Sequence, residues 1–170
     1  MSSPVIQNFM KQQGFAPEPP DACNMHFAGL YFQPRIVFPI LLVGMLLQSP
    51  AIFLAVSAVL WWNVLVPRLN PFEQVYNRRI AARRGTPPLV PAPGPRRFAQ
   101  AMAAAFTLGA GLSLLAGWNV ASWVLQGFLV VAFGALLLGK FCLGAWVFHV
   151  LRGEAAFANS TLPWSRGGSA

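Results

Sequence analysis

The chain has 170 residues, of which 56% are hydrophobic and only 9% are charged, and its formal net charge is +8. So few charges exclude a disordered protein, and they cannot cover the surface of a soluble core. The composition therefore predicts an all-α integral membrane protein. Seven of the twelve basic residues lie within 68–97, between long apolar stretches, which indicates a cytoplasmic segment rather than a nucleic-acid interface.

Residues 1–33 are polar to mixed and contain three closely spaced prolines. This pattern predicts a cytoplasmic N-terminal arm, because proline interrupts long helices. Cys23 and His26 have the spacing of a metal-ligand pair, but a zinc site needs a second pair. We therefore expect a flexible arm here and no metal site.

The four-helix membrane domain is predicted to occupy residues 34–152. Its first hairpin comprises two short spans, 35–48 and 51–66, joined by a turn at Ser49 and Pro50. Both spans are shorter than the hydrocarbon core of a bilayer, so flanking arginines would have to reach toward its edge.

A basic cytoplasmic helix is predicted over residues 71–84, between the two hairpins. Asn70 is a favourable N-cap, Glu73 completes the helix start, and Gly85 marks its end. Basic side chains of this central segment are suited to lipid headgroups or to a partner protein. They are Arg78, Arg79, Arg83, Arg84, Arg96 and Arg97.

The third span is predicted over residues 98–116, where small side chains recur at every fourth position. Such residues let helix backbones approach closely in a bilayer. The predicted packing stripe comprises Ala101, Ala105, Gly109, Ser113 and Gly117.

The fourth span is predicted over 120–139, after a tight turn at 117–119. Lys140 marks its end, and the helix is expected to continue along the cytoplasmic interface to residue 151. Residues 153–170 form a short polar tail.

The distribution of basic residues predicts the orientation of the chain. Neither predicted turn contains Lys or Arg, whereas the central segment contains seven. The positive-inside rule then places both termini and the central segment in the cytoplasm, with the protein in an inner (cytoplasmic) membrane.

Four short motifs, taken together, resemble a known bacterial family. They lie at residues 48–50, at 70–72 with 76–77, at 95–100, and at 141–144. In this order and spacing they resemble the membrane-protein family called domain of unknown function 4395, over roughly residues 34–152. The resemblance implies four transmembrane helices and no established activity, with some members found in sulfur-metabolism or thiol-redox settings.

The chain departs from the family at one position. Members often carry Phe-Cys-x-Gly-Cys, but here Cys142 is followed by Ala145 where the second thiol would stand. A dithiol that cycles through a disulfide needs both sulfur atoms. A thiol function would therefore rest on a single reactive Cys142 with a depressed pKa.

His149 lies on the same predicted helix face as Cys142 and Arg152. One interpretation is a cofactor ligand, with the imidazole binding a metal, a haem or a chlorophyll-type pigment. The alternative is an interfacial histidine that hydrogen-bonds a lipid or a loop. The sequence identifies no particular cofactor.

The inventory of catalytic residues is small, with four carboxylates and two histidines. We therefore expect an accessory or structural subunit that packs against other subunits of a larger membrane complex, rather than an enzyme or a nucleic-acid-binding protein. An energy-converting complex with redox centres or pigments is one host that fits. A membrane protein that handles thiols or sulfur, or a small transporter, remains the alternative.

Overall fold

The computed structural model describes residues 4–16, 19–86 and 88–165, and the regular elements within these ranges are all helical. The prediction of an all-α fold is therefore confirmed. Two clusters of buried apolar side chains hold the helices together, one around Phe9 and Tyr31 and the other around Leu41 and Phe53.

The N-terminal residues form two helices that pack into the fold. α1 spans Pro4–Gln12 and α2 spans Pro20–Leu30. Phe9 is 2% exposed, and its ring packs edge-on against Phe27 with 5.3 Å between centroids. The described part of the expected arm is therefore a component of the core, because α1 buries its apolar face against α2.

The first hairpin joins α3, Phe32–Leu47, to α4, Pro50–Leu65. Gln48 adopts the left-handed conformation, with φ of 44°, and the Ser49 N–H donates to the Gly44 carbonyl at 3.0 Å. This arrangement is a Schellman ending, and the proline that follows begins the next helix. The turn lies where the sequence predicts it.

The second hairpin joins α7, Gly94–Leu115, to α8, Asn119–Leu137, through a turn in which Gly117 has φ of 75°. The side-chain amides of Gln48 and Gln126 exchange two hydrogen bonds, at 3.1 and 3.2 Å. The turns of both hairpins therefore lie at the same end of the bundle, which we call the turn end.

Within the described part of the chain, three helical segments are long and apolar enough to cross a membrane. They are Cys23–Leu47, Gly94–Leu115 and Asn119–Leu137. The first is longer than predicted because α2 continues into α3 with little change of direction at Tyr31, which keeps helical dihedrals. α4 is also apolar, but its 16 residues extend for only about 24 Å. Length and composition thus support three of the four predicted spans.

The segment between the hairpins contains a helix with an irregular middle. After a 3₁₀ turn, Pro67–Leu69, α5 spans Pro71–Val75, a π-helical turn spans Tyr76–Ala81, and α6 spans Ala82–Arg84. The Asn70 side chain accepts hydrogen bonds from two N–H groups of the first turn, at 3.0 and 3.4 Å. The predicted N-cap is therefore present, and the glycine after α6 has φ of 61°.

The most extensive helix contact among the described residues is that of α4 with α7. The Ser57 hydroxyl donates to the Ala104 carbonyl at 2.9 Å. A Cβ atom added at Gly111 would lie 3.1 Å from the Cβ of Phe53. Small residues on α7 thus allow the close approach that stabilises helix pairs in lipid.

The predicted stripe of small residues does not form one contact face within the chain. Gly109 approaches Leu125 of α8 and Ser113 is buried, whereas Ala105 and Gly117 are exposed. Four residues exceed one helical turn by about 40°, so five positions at this spacing rotate around the helix by about 160°. The face toward α4 uses other small residues instead.

The chain breaks after α8 instead of continuing as one helix. Lys140 has φ of 51°, α9 spans Leu143–Leu151, and α10 spans Ala155–Ser160. α9 turns back onto α7, where the position of a Cβ added at Gly144 lies 2.7 Å from the Cα of Ala99. The expected interfacial extension to residue 151 is therefore a separate helix packed on the bundle.

We expect the substitution Gly144→Ala to destabilise the fold by about 1–3 kcal/mol, because the added methyl group would overlap the backbone of α7. Thermal unfolding in mild detergent would measure the loss. The matched control is Gly127→Ala, where an added Cβ meets no described atom within 4 Å. Equal melting temperatures for the two variants would contradict the close contact between α7 and α9.

Candidate functional site

A buried ion pair joins the segment between the hairpins to α7. The Arg96 guanidinium lies 3.9 Å from the Glu73 carboxylate, measured from Nη2 to Oε1, and both side chains are more than nine-tenths buried. The prediction that Arg96 contacts lipid headgroups or a partner protein is therefore wrong. Arg96 lies in the first turn of α7, on the side that faces α5, so its side chain is directed inward.

Three amide side chains extend this pair into a network. The Gln33 Oε1 atom accepts hydrogen bonds from Gln100 Nε2 at 3.2 Å and from Asn70 Nδ2 at 3.4 Å. Because Asn70 also caps α5, the network joins α3, α5 and α7. We call Gln33, Asn70, Glu73, Arg96 and Gln100 the polar cluster.

Three atoms of the polar cluster have hydrogen-bonding capacity that the described residues do not use. Glu73 Oε1, Arg96 Nε and Gln100 Oε1 are buried, and none of them has a hydrogen-bond partner among the described residues. A buried polar atom without a partner costs about 1–3 kcal/mol. Such atoms in a folded protein call for an explanation, for which a bound molecule is one candidate.

A cavity of about 270 Å³ lies beside the polar cluster. Apolar side chains of α3, α7 and α8 line most of its wall, among them Val37, Phe106 and Phe128. Arg96 and Gln100 line one end. The cavity therefore combines a long apolar wall with a small polar end, as ligand sites commonly do.

Burial changes the acid strength of the carboxyl group in the polar cluster. It raises the pKa of Glu73, while the positive charge of Arg96 and the hydrogen bond from Asn70 act in the opposite direction. The removal of water from the carboxylate is the largest of these effects. Glu73 thus retains its proton at a higher pH than an exposed glutamate does.

The other predicted basic residues have different surroundings. Arg78, Arg79 and Arg83 are exposed on the helical segment between the hairpins, and the side chain of Arg84 lies outside the described part of the chain. Arg97 is also exposed, and its Nη2 donates to the Val64 carbonyl at 2.9 Å, which caps the end of α4.

His149 contacts protein acceptors through both ring nitrogens. Nδ1 lies 2.6 Å from the Glu154 carboxylate and Nε2 lies 3.2 Å from the Gln12 carbonyl. A metal, haem or pigment would have to displace one of these contacts. No group of three or more His, Cys, Asp or Glu side chains that could hold a metal occurs among the described residues. The geometry thus favours the interpretation of His149 as a loop-binding histidine.

The candidate metal pair in the N-terminal segment lies within the fold. Cys23 is 4% exposed, and the His26 ring packs against Phe15 with 5.1 Å between centroids. The expectation of a flexible arm around these two residues is therefore wrong, because α1 and the residues that follow it cover them.

Sequence reasoning missed the role of Gln12. Its side-chain oxygen accepts the N–H of Cys142 at 2.9 Å, its amide donates to Thr161, and its carbonyl contacts His149. Gln12 at the end of α1 thus binds the residue before α9, a residue of α9 itself and the residue that follows α10. A polar residue in an apparently irregular arm gives no local signal of such contacts.

A family model described as domain of unknown function (DUF4395) matches residues 28–152, well over half of the chain. The chain belongs to this family. No curated protein and no solved structure matches it. The motifs that carry the resemblance to DUF4395 supply many of the polar contacts described above, including those of Gln48, Asn70 and Gln100.

Cys142, the thiol of the DUF4395 motif, is buried at the start of α9. Burial raises the pKa of Cys142, and this effect outweighs the hydrogen bonds and the Arg96 charge that act against it. The thiol alternative requires a depressed pKa, so the geometry does not support it. Ala145, at the position of the second family cysteine, is fully buried.

We expect Cys142 to react with iodoacetamide at least about tenfold more slowly than an exposed thiol near pH 8, because the thiolate is scarce and covered. The experiment compares the Cys23→Ser chain with a Cys23→Ser/Cys142→Ser chain that carries Arg78→Cys on the exposed segment. Faster labelling of Cys142 than of the introduced cysteine would restore the thiol alternative.

We also expect the stability of the protein to decline as pH rises through the raised pKa of Glu73. The folded state retains this proton longer than the unfolded chain, so the contribution is complete below the ordinary value of about 4.3 and is lost above the raised value. The Glu73→Gln variant, whose side chain stays neutral, should have a melting temperature that depends less on pH. Parallel curves for the two proteins, measured by thermal unfolding, would show that Glu73 titrates normally.

Proposed function

We propose that this protein is an integral membrane protein that crosses the bilayer four times and packs against helices of a larger membrane assembly as a structural subunit. The proposed role is not catalytic and involves no nucleic acid. The partners would be other membrane-protein subunits, for which an energy-converting complex is one suitable host.

The course of the chain supports four crossings. α3 and α4 meet at the turn end, and Arg97 at the start of α7 contacts the last turn of α4. These contacts support a return of α4 across the thickness that α3 crosses, and residues that flank α4 can compensate for its short length. The absence of Lys and Arg from residues 48–50 and 117–119 supports a cytoplasmic location for the opposite end and for both termini.

The observation that carries the proposed packing role is an outward-facing pair of glycines on α8. Gly127 and Gly134 are seven residues apart, so they lie on nearly the same face. A Cβ at either position would meet no described atom within 4 Å. Glycine weakens a helix by about 1 kcal/mol relative to alanine, and nothing within the described chain offsets this cost.

The neighbours of these glycines are suited to contact with another helix. Val124 and Val131 lie on the same face and are exposed. In lipid, two helices associate mainly through close packing at small residues, since both are already surrounded by apolar chains. A groove between valine side chains on α8 therefore favours a partner helix over lipid tails.

We expect the Gly127→Leu/Gly134→Leu variant to fold normally but to lose its partner. Purification in mild detergent followed by native mass measurement should give a particle heavier than the single chain for the wild type and the single chain for the variant. The control is Ala105→Leu, at an exposed position on α7. A wild-type protein that purifies as a lone monomer, or a double variant that keeps its partner, would refute the proposal.

A further inference from the structure

The cavity beside the polar cluster has two chemically different ends. From Arg96 to Phe106, the wall formed by α7 extends for ten residues, which corresponds to about 15 Å. The Arg96 end is polar, while the Phe106 end is lined by aromatic and aliphatic side chains. An occupant that matches both ends has to be amphipathic.

The residues that line the polar end offer one unused donor and one unused acceptor, since Glu73, whose Oε1 is also unused, does not line the cavity. Arg96 Nε can donate and Gln100 Oε1 can accept, and no described residue pairs with either atom. The two residues are four positions apart on α7, so their side chains lie one turn apart on the same face. A group that both accepts and donates a hydrogen bond, such as a hydroxyl, would satisfy both atoms.

The charge balance at this end indicates a neutral group. The carboxylate of Glu73 lies 3.9 Å from the Arg96 guanidinium and offsets its charge. An anionic head would add a further negative charge to a buried site, which is costly without another cation. A cationic head would leave the unused Arg96 donor unsatisfied.

The size and chemistry of the cavity limit the rest of the occupant. A volume of about 270 Å³ is near the lower limit of ligand pockets, so it takes a head and part of a chain rather than a whole phospholipid. Phe106 and Phe128 stack with 5.7 Å between centroids and form part of the apolar wall. Purely apolar cavities stay dry or bind apolar molecules, so an alkyl or isoprenoid chain fits there.

We propose that this cavity binds a single-chain amphipathic lipid whose neutral head carries hydroxyl groups that pair with Arg96 Nε and Gln100 Oε1. A hydroquinone with an apolar tail and a monoacylglycerol both have this chemistry. This binding site is independent of the proposed partner face, which lies on the outer side of α8.

The test uses three probes and native mass spectrometry in an amine-oxide detergent, whose head has no hydroxyl group. The probes are decylubiquinol kept reduced, 1-monododecanoylglycerol, and dodecane as a chain without a head. We expect saturable one-to-one binding of at least one hydroxyl-bearing probe, at least about tenfold tighter than that of dodecane. Binding of only one of the two assigns the head as a quinol or as a glyceride.

Matched variants locate the bound probe. Ala103→Leu fills the cavity wall, whereas Ala105→Leu adds the same side chain at an exposed position on the same helix. We expect the first to weaken binding at least about tenfold and the second to leave it unchanged. Ala132→Leu fills the opposite wall and serves if Ala103→Leu does not fold.

The polar end is tested by Gln100→Met, which keeps the side-chain length but removes the unused acceptor together with the amide that donates to Gln33. We expect this variant to bind the hydroxyl-bearing probe at least about fivefold more weakly, with dodecane binding unchanged. The proposal is overturned if neither hydroxyl-bearing probe binds saturably, if dodecane binds as tightly, or if Ala103→Leu and Ala132→Leu both bind like the wild type.

Discussion

Polar side chains buried among apolar helices need partners inside the protein, and in this chain those partners come from distant segments. Gln33 of α3 receives hydrogen bonds from Asn70 and Gln100, and the adjacent Glu73 pairs with Arg96. With dispersion contacts alone, neighbouring helices could slide or rotate at little cost in free energy. The hydrogen bonds and the ion pair form in one arrangement of the helices only. The segment between the hairpins is therefore a fixed part of the bundle, and its Glu73 pairs with Arg96, which lines the polar end of the cavity.

Features that depend on neighbouring residues could be predicted from the sequence. The turn after Gln48 and the N-cap at Asn70 lie where the local pattern indicates, because each is formed by residues within a few positions. The break near Lys140 was only partly foreseeable. A long apolar run predicts a single helix. The contacts of Gln12 and Gly144 that pack α9 on the bundle join residues far apart in sequence, so no local pattern predicts them.

The candidate site was harder to predict for the same reason. The positive charge of Arg96 suggests a contact with lipid headgroups. The side chain instead faces Glu73, because of the rotation of α7 about its own axis, and the sequence does not indicate that rotation. The glutamines of the apolar helices were the available signal, since an uncharged polar residue within an apolar helix has to be paired. Their partners could not be assigned without the packing of the helices.

The paired amides of Gln48 and Gln126 make the turn end of the bundle less sensitive to salt and to pH than the opposite end. Neither amide titrates, and an uncharged hydrogen-bonded pair is little affected by salt or by pH. The opposite end depends on the Glu73 carboxyl, whose protonation changes with pH. A rise of pH through the pKa of Glu73 would therefore weaken only the end of the bundle that contains Glu73, while the glutamine pair at the turn end keeps its hydrogen bonds.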